Sequence, residues 1–336
     1  MGGQCGRGHR TRHRRALSPQ SLVEPAELGA RRVALDLLAK VREARDRLDD
    51  PNDRGALHDF RVALRRLRSW LRAFRPHLQD TMRRKTERQL AEIADVTGIS
   101  RDLEVHIDWV KRTRREIPER GRAGAAWLLR RLRESKRDSD ADLRQVLDRY
   151  FAKAVRRAER ALECYVARVA DDGPRFGETA SALLAREATA LGAALQRVAS
   201  QGDRAEAHAA RIATKRLRYA VEGLALAGPR VESIVHELKT LQNSLGELHD
   251  AQQFGSELAT MISSLIAKRG EERRRESARR SRKGESGDPV VGLRMMLKQL
   301  RRTEGKAFEA FQEAWKTGDR AESLTTRVTE IEQSLR

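Results

Sequence analysis

Two segments of the sequence carry cationic side chains at helical spacing, and each row begins with a histidine. In the first segment His58 is followed, at steps of 3, 4, 3 and 4, by Arg61, Arg65, Arg68 and Arg72. Residues at this spacing share one face of an α-helix. Like charges four residues apart destabilise an isolated helix by about 0.2–0.5 kcal/mol per pair. Such a face is therefore stabilised by solvent, by carboxylates of neighbouring helices or by a bound anion. The residues alone do not distinguish these three possibilities.

The same arrangement returns 150 residues later. His208 matches His58, and the cations that follow it are Arg211, Lys215, Arg216 and Arg218, which match Arg61, Arg65, Arg66 and Arg68. The second row is shorter, because Glu222 occupies the position of Arg72. Apolar residues recur at steps of 4, 3, 4 and 3 on the other face of the first helix, and this spacing predicts a buried stripe formed by Phe60, Leu64, Leu67, Leu71 and Phe74.

A second pair of matched motifs follows the two rows. GISRD begins at Gly98 and GELHD begins at Gly246, and each lies within an apolar helical pattern in which the glycine predicts a bend rather than a break. Arg101 and His249 are candidate anion ligands in these motifs, whereas the aspartate after each is expected to form a structural ion pair between helices. Lys239 precedes the second motif and is a further candidate for the same groove.

These motifs together resemble the CHAD family, the conserved histidine α-helical domain. The resemblance rests on HxxRVxxRRLR, GxxRD, HxxRxxxKRLRY and LxxLQxxLGxxHD in this order, and it covers residues from about 27 to about 316. It implies two helical bundles whose basic helices face a shared groove, and inorganic polyphosphate as the ligand. The acidic ExExK-type motif of the triphosphate tunnel enzymes that are sometimes fused to CHAD domains is not found, so a stand-alone CHAD protein is expected.

The composition predicts an all-α fold, because long 3.6-residue periodicity accompanies only eight prolines in 336 residues. We expect two duplicated four-helix-bundle halves packed together around a basic groove. The predicted division is a disordered basic tail (1–24), a first half (25–172), a second half (173–317) with a charged loop at about 271–289, and a C-terminal helical appendage (318–336).

The formal net charge of +20 predicts a polyanionic partner, which charge alone does not identify. Each cationic row would extend about 21 Å over 14 residues, a length that suits a linear anion better than one phosphate. Nucleic acid is the alternative partner. It is disfavoured because Trp70 and Tyr219 are the only aromatic residues along the rows that could stack on bases.

The histidines have two interpretations. A protonated imidazole at His58 or His208 would extend each row and would make anion binding tighter at pH 6 than at pH 8. Satisfied structural histidines would leave binding independent of pH. A preformed metal site is not expected, because the sequence has no HxxxH, no HExxH and no cysteine pair.

Catalysis is not expected, and neither is a cofactor. The sequence contains no P-loop, no GxSxG and no paired acidic motif, so no catalytic residue is assigned. A polyphosphate-processing enzyme or accessory subunit remains the second alternative. The sequence contains no run of 18 apolar residues, so no membrane span is expected. We expect a cytoplasmic protein associated with polyphosphate granules, although the Arg-rich N-terminal segment also fits a transit peptide. The sequence motifs do not define an oligomeric state.

Overall fold

A computed structural model of the chain is all-helical, which confirms the predicted fold class. It describes residues 19–50, 52–53, 55–78, 82–164, 173–224, 229–276, 288–315 and 320–335. Within these ranges the only β-type pairing is an isolated bridge between Pro25 and Arg175. All other regular structure in this part of the chain is helical.

In the described part of the chain, seven α-helices precede the boundary predicted between the two halves, and five follow it. The first seven are α1 (Pro19–Leu22), α2 (Ala26–Asp46), α3 (Ala56–Ala73), α4 (Arg75–Leu78), α5 (Arg84–Glu116), α6 (Arg122–Val146) and α7 (Ala152–Glu163). The other five are α8 (Phe176–Arg197), α9 (Arg204–Gly223), α10 (Pro229–Glu276), α11 (Pro289–Trp315) and α12 (Arg320–Gln333). A π-helical turn, Leu147–Phe151, joins α6 to α7.

The predicted boundaries agree with these helices only in part. α5 and α10 run without interruption through Gly98 and Gly246. The predicted tail extends to residue 24, but residues 19–22 form α1 and the carbonyl of Glu24 accepts a hydrogen bond of 2.8 Å from the amide of Phe176. Residues 1–18, the boundary at 171–172 and residues 277–287 of the predicted charged loop lie outside the described residues.

The apolar face of α3 is buried as its spacing predicts. Its five stripe residues are between 0% and 6% exposed, and burial of each such side chain stabilises the fold by about 1.5–3 kcal/mol. Trp70 belongs to the same core, because its indole Nε1 donates a hydrogen bond of 2.9 Å to the carbonyl of Ala30. Because the apolar face of α3 points into the core, its cationic face lies at the margin of the core, where Arg61, Arg65 and Arg68 are half-buried and Arg72 is exposed.

The hydrophobic core is not divided at the boundary between the predicted halves. A large cluster contains apolar residues of α2, α3, α7, α8, α9 and α12. A second cluster is formed by the C-terminal part of α5, the N-terminal part of α6, the middle of α10 and the N-terminal part of α11. Because each cluster takes side chains from both halves, the two halves share their core.

Glycine allows close contact between helices at several places in the described chain, two of which involve α3, α6, α9 and α11. At Gly223 a Cβ atom would come within 2.6 Å of the Trp70 ring, so glycine allows the C-terminal ends of α3 and α9 to meet. At Gly124 a Cβ atom would come within 2.8 Å of the Cα of Gly292, where α6 meets α11. α3 also packs against α5, and α9 packs against α10.

The last helix is part of this core. α12 packs against α8 through the buried side chains of Leu324, Val328 and Ile331. The hydroxyl of Ser181 donates a hydrogen bond of 2.7 Å to the carboxylate of Glu332. The segment predicted as an appendage is therefore integrated with the second half.

Candidate functional site

The two cationic rows meet where α3 lies beside α9. Lys215 of α9 is surrounded by positive charge from both helices: Arg65 and Arg61 from α3 and Arg211 from its own row. Burial, followed by these three charges, lowers the pKa of Lys215 to about 6. Four of the predicted ligands, two from each row, therefore form one cluster, which is called the central cluster below.

Two matched ion pairs anchor the arginines at the edge of the central cluster. Arg61 Nη1 lies 2.7 Å from Asp102 Oδ1 on α5, and Arg211 Nη2 lies 3.7 Å from Asp250 Oδ1 on α10. The sequence predicts structural ion pairs at both aspartates, and the structure places them there. Burial raises the pKa of the Asp250 carboxyl, while the charge of Arg211 opposes that rise.

The other two members of the central cluster, Arg65 and Lys215, form no ion pair within the described residues. Among the described residues, no carboxylate lies within 4 Å of the Lys215 ammonium or of the Arg65 guanidinium. Burial is the largest cause that lowers the pKa of Arg65, and Arg61 and Arg218 lower it further. Asp102 raises the pKa of Arg65 and Asp250 raises that of Lys215, but burial and the neighbouring cations lower both pKa values more. The central cluster therefore carries more positive than negative charge, and an external anion would balance it.

A small cavity of about 70 Å³ opens beside the central cluster, between α3, α5, α9 and α10. It is lined by Arg61, Asp102, Val105, His106, Arg211, His249, Asp250 and Gln253. His106, which was not predicted, stacks on Phe254 with ring centroids 3.9 Å apart. This stack joins α5 to α10, and nothing in the periodicity of either helix distinguishes it from ordinary core packing.

The surroundings of the candidate histidines disfavour their protonated forms. His208 Nδ1 and His249 Nδ1 lie 3.4 Å apart, so a hydrogen bond between them requires one nitrogen to be unprotonated. Burial, followed by Arg211, lowers the pKa of His249 to about 4. Burial also lowers the pKa values of His58 and His208, and neighbouring arginines add to both effects. The direction of these shifts opposes the interpretation in which protonated histidines extend the rows of the ligand-free protein.

Several predicted ligands are already paired with carboxylates. Arg68 lies 3.5 Å from Asp95, and Arg101 lies 2.7 Å from Glu104. Glu222 lies 2.8 Å from Arg66 and 3.8 Å from Arg218, whose guanidinium also lies over the ring of Tyr219. Two of these pairs, Arg68–Asp95 and Arg66–Glu222, join α3 to α5 and to α9, whereas Arg101–Glu104 and Arg218–Glu222 each lie within one helix. The acidic residue that shortens the second row thus forms an ion pair between α9 and α3.

The remaining predicted cations lie outside the central cluster. Arg72 and Arg216 line a separate cavity of about 240 Å³ between α3, α8 and α9, together with Arg186. Sequence reasoning missed Arg186, because α8 carries no histidine-led row. Lys239 is exposed on α10 and lines neither of these two cavities.

Comparison with known proteins identifies the family. A family model described as the CHAD domain matches residues 32–259, which is more than half of the chain. The chain belongs to the CHAD family.

Two solved structures share the fold of this CHAD protein. The crystal structure of the CHAD domain from the plant Ricinus communis is 17% identical, with a TM-score of 0.58 and coverage of 93% of both chains. PptA from Streptomyces chartreusis is 16% identical, with a TM-score of 0.59 and coverage of 89% of this chain and 99% of that one. A search of curated proteins gives no match. The resemblance inferred from the four motifs is thus confirmed at the level of family and fold.

Two further observations concern the described part of this CHAD protein. No group of three or more His, Cys, Asp or Glu side chains there has an arrangement that could hold a metal ion. None of its helices is both long and apolar enough to cross a bilayer.

Proposed function

We propose that this CHAD protein binds inorganic polyphosphate through the central cluster and catalyses no reaction on it. The observation that carries the proposal is the excess charge of that cluster. Four basic side chains from two helices converge, only two carboxylates lie beside them, and no described carboxylate lies within 4 Å of the charged groups of Arg65 or Lys215. A linear anion laid between α3 and α9 would contact both rows at once.

The chemistry of polyphosphate fits this arrangement. Each internal unit carries about one negative charge and exposes two oxygens, and a guanidinium group can donate two parallel hydrogen bonds to such a pair. Release of condensed counter-ions should supply much of the affinity, as it does when basic proteins bind nucleic acids. Binding is therefore expected to weaken steeply as salt is added.

Lys215 would couple this binding to protons. In the ligand-free protein its pKa is about 6, so the side chain is mostly uncharged above that pH. A phosphate chain would provide the missing negative charge and raise the pKa of Lys215. Polyphosphate binding above pH 6 should therefore take up a proton.

Nucleic acid is the alternative ligand, and the surroundings of the aromatic residues favour polyphosphate. Trp70 and Tyr219 are only 2% and 6% exposed, so neither can offer its face to a splayed base. Competition at equal phosphate concentration and equal salt distinguishes the two ligands. We expect long polyphosphate to displace labelled duplex DNA or RNA; displacement of polyphosphate by either nucleic acid would contradict the preference.

The second alternative is an enzyme that shortens or extends polyphosphate. A non-catalytic role is supported by the pairing of Asp102 and Asp250 with arginines, which occupies the carboxylates nearest the central cluster. Incubation with polyphosphate and magnesium, with and without nucleotide, is expected to leave the chain length unchanged. Chain shortening or nucleotide formation would overturn the non-catalytic proposal.

Localisation follows from the ligand. A protein that binds polyphosphate without consuming it would collect where the polymer accumulates. We therefore propose that this CHAD protein associates with polyphosphate granules. Fluorescent tagging should give granular foci that disappear when the central cluster is neutralised by Arg65→Gln with Lys215→Gln.

A further inference from the structure

A second basic groove lies away from the central cluster, between α5 and α6. Its volume is about 350 Å³, and its walls are Arg114 of α5 and Ala126, Leu129, Arg130, Arg133, Glu134 and Arg137 of α6. Leu129 belongs to the second core cluster, so the groove lies over the end of the molecule where α5, α6, α10 and α11 pack together. It is called the α5–α6 groove below.

The arginines of the α5–α6 groove are not neutralised within the described protein. Arg114, Arg130, Arg133 and Arg137 are exposed, and no carboxylate among the described residues lies within 4 Å of any of them. Glu134 is the one acidic residue that lines the groove, and it pairs with none of the four. The groove therefore has four cations against one carboxylate.

The spacing of these arginines suits an extended anion. Arg130, Arg133 and Arg137 follow one another at i, i+3 and i+7, which places them on one side of α6 over about 10 Å. Like charges at this spacing repel one another. Arg114 faces them across the groove, so a chain of phosphates lying in it would be contacted from both sides.

We propose that the α5–α6 groove is a second polyphosphate site of this protein. The inference rests on the proposed function, and it adds a binding surface that the histidine-led rows do not include. Asp102, at the central cluster, and Arg114 lie on the same helix 12 residues apart, which is about 18 Å along the axis of α5. A short chain can occupy one site at a time, whereas a long chain could engage both sites or link two protein molecules.

The test counts bound tripolyphosphate molecules by isothermal titration calorimetry. We expect two per wild-type chain, one for Arg133→Ser with Arg137→Ser, and one for Arg65→Gln with Lys215→Gln. The matched control is Arg84→Ser with Arg88→Ser, which removes two exposed arginines at the same i, i+4 spacing from the other end of α5 and should leave two sites.

The outcomes separate the two proposals. If the Arg133→Ser, Arg137→Ser variant binds as the control does, or if the central-cluster variant binds no tripolyphosphate, the α5–α6 groove is not a second site and the proposed function stands. If the wild-type protein binds no polyphosphate of any length, the proposed function itself fails. For long chains, loss of the groove should weaken binding about tenfold or more, because the linked second contact is removed.

Discussion

The central cluster and the α5–α6 groove both concentrate positive charge, but they differ in burial. In the central cluster, Lys215 is enclosed by Arg61, Arg65 and Arg211, and burial lowers its pKa to about 6. In the groove, four arginines are exposed to solvent, one on α5 and three on α6. Burial thus makes charge at the centre costly in the ligand-free state, whereas charge in the groove is screened by water and salt.

This difference predicts different roles for the two regions. A buried cation without a counter-ion gains strongly from a bound phosphate, because the ligand relieves an existing penalty. An exposed arginine gains less, since water already solvates it. We therefore expect the central cluster to determine affinity and proton uptake, and the α5–α6 groove to add salt-sensitive contacts to long chains.

Charge reversal should separate the two regions most clearly. Arg65→Glu with Lys215→Glu should weaken polyphosphate binding about a hundredfold or more, because two hydrogen bonds to charged groups are each worth about 1.5–3 kcal/mol. Arg133→Glu with Arg137→Glu should cost about tenfold for long chains. Arg84→Glu with Arg88→Glu is the control. Circular dichroism checks that each variant stays helical. Equal losses of polyphosphate affinity in the first two variants would show that the central cluster and the α5–α6 groove do not differ in their contribution to binding.

The contact between α3 and α9 should be sensitive to one methyl group. Gly223→Ala places a Cβ atom about 2.6 Å from the Trp70 ring and should destabilise the protein by about 1–3 kcal/mol through overpacking. The matched control is Gly246→Ala in α10, where nothing lies within 4 Å of the added Cβ atom. That change should stabilise by about 0.5–1 kcal/mol, because alanine is the better helix former. Thermal unfolding measures both, and equal effects would show that the helices do not meet at Gly223.

Binding at the central cluster should depend on pH. The pKa of Lys215 is lowered to about 6 in the free protein and is expected to rise when phosphate binds, so affinity should fall as pH rises above 6. The fall should approach about tenfold per pH unit for one coupled proton. Titrations with long polyphosphate at pH 6, 7 and 8 and constant ionic strength test this. Lys215→Arg, which stays charged, should flatten the profile; a profile unchanged by this variant would assign the proton elsewhere.

Removing the buried cation should stabilise the ligand-free protein. Lys215→Met keeps the aliphatic stem and eliminates the desolvated ammonium, so the free energy of unfolding at pH 5 should rise by about 1 kcal/mol or more. The gain should be largest below pH 6 and should decline gradually above it towards the ordinary lysine pKa of about 10.4, because folding then releases a proton from the unfolded lysine at a cost that falls as pH rises. Lys298→Met, on the exposed side of α11, provides the control. Chemical denaturation at pH 5 and pH 8 compares the two variants, and no gain at either pH would contradict the burial argument.

Much of this architecture was predictable from the sequence. The 3.6-residue apolar period predicts that Phe60, Leu64 and Leu67 are buried, and the structure confirms it. The 150-residue spacing of the two rows predicts that Arg61 and Arg211 occupy matched positions, and each forms an ion pair with the aspartate of its downstream motif. Such features depend on local periodicity and on the repeat, and both are visible in one chain.

The remaining features depend on contacts between distant segments. Periodicity marks Arg66 and Arg68 as ligands, but it cannot show that Glu222 and Asp95 neutralise them from other helices. It also cannot show that burial and, after it, Arg211 lower the pKa of His249, because that imidazole is buried beside Arg211 only after α9 packs on α10. The α5–α6 groove was missed for a related reason, since its charge is assembled from two helices of which neither carries a histidine-led row.

The most direct test of the account is whether both helices contact the same anion. Tripolyphosphate affinity should be measured in a background that carries Arg133→Ser and Arg137→Ser in the α5–α6 groove, and in the same background with either Arg65→Gln or Lys215→Gln added. The account predicts that each single change, one on α3 and one on α9, weakens binding at least about tenfold, since each removes a charged hydrogen bond. If either change leaves the affinity unaltered, the two rows do not share a ligand and the central claim is wrong.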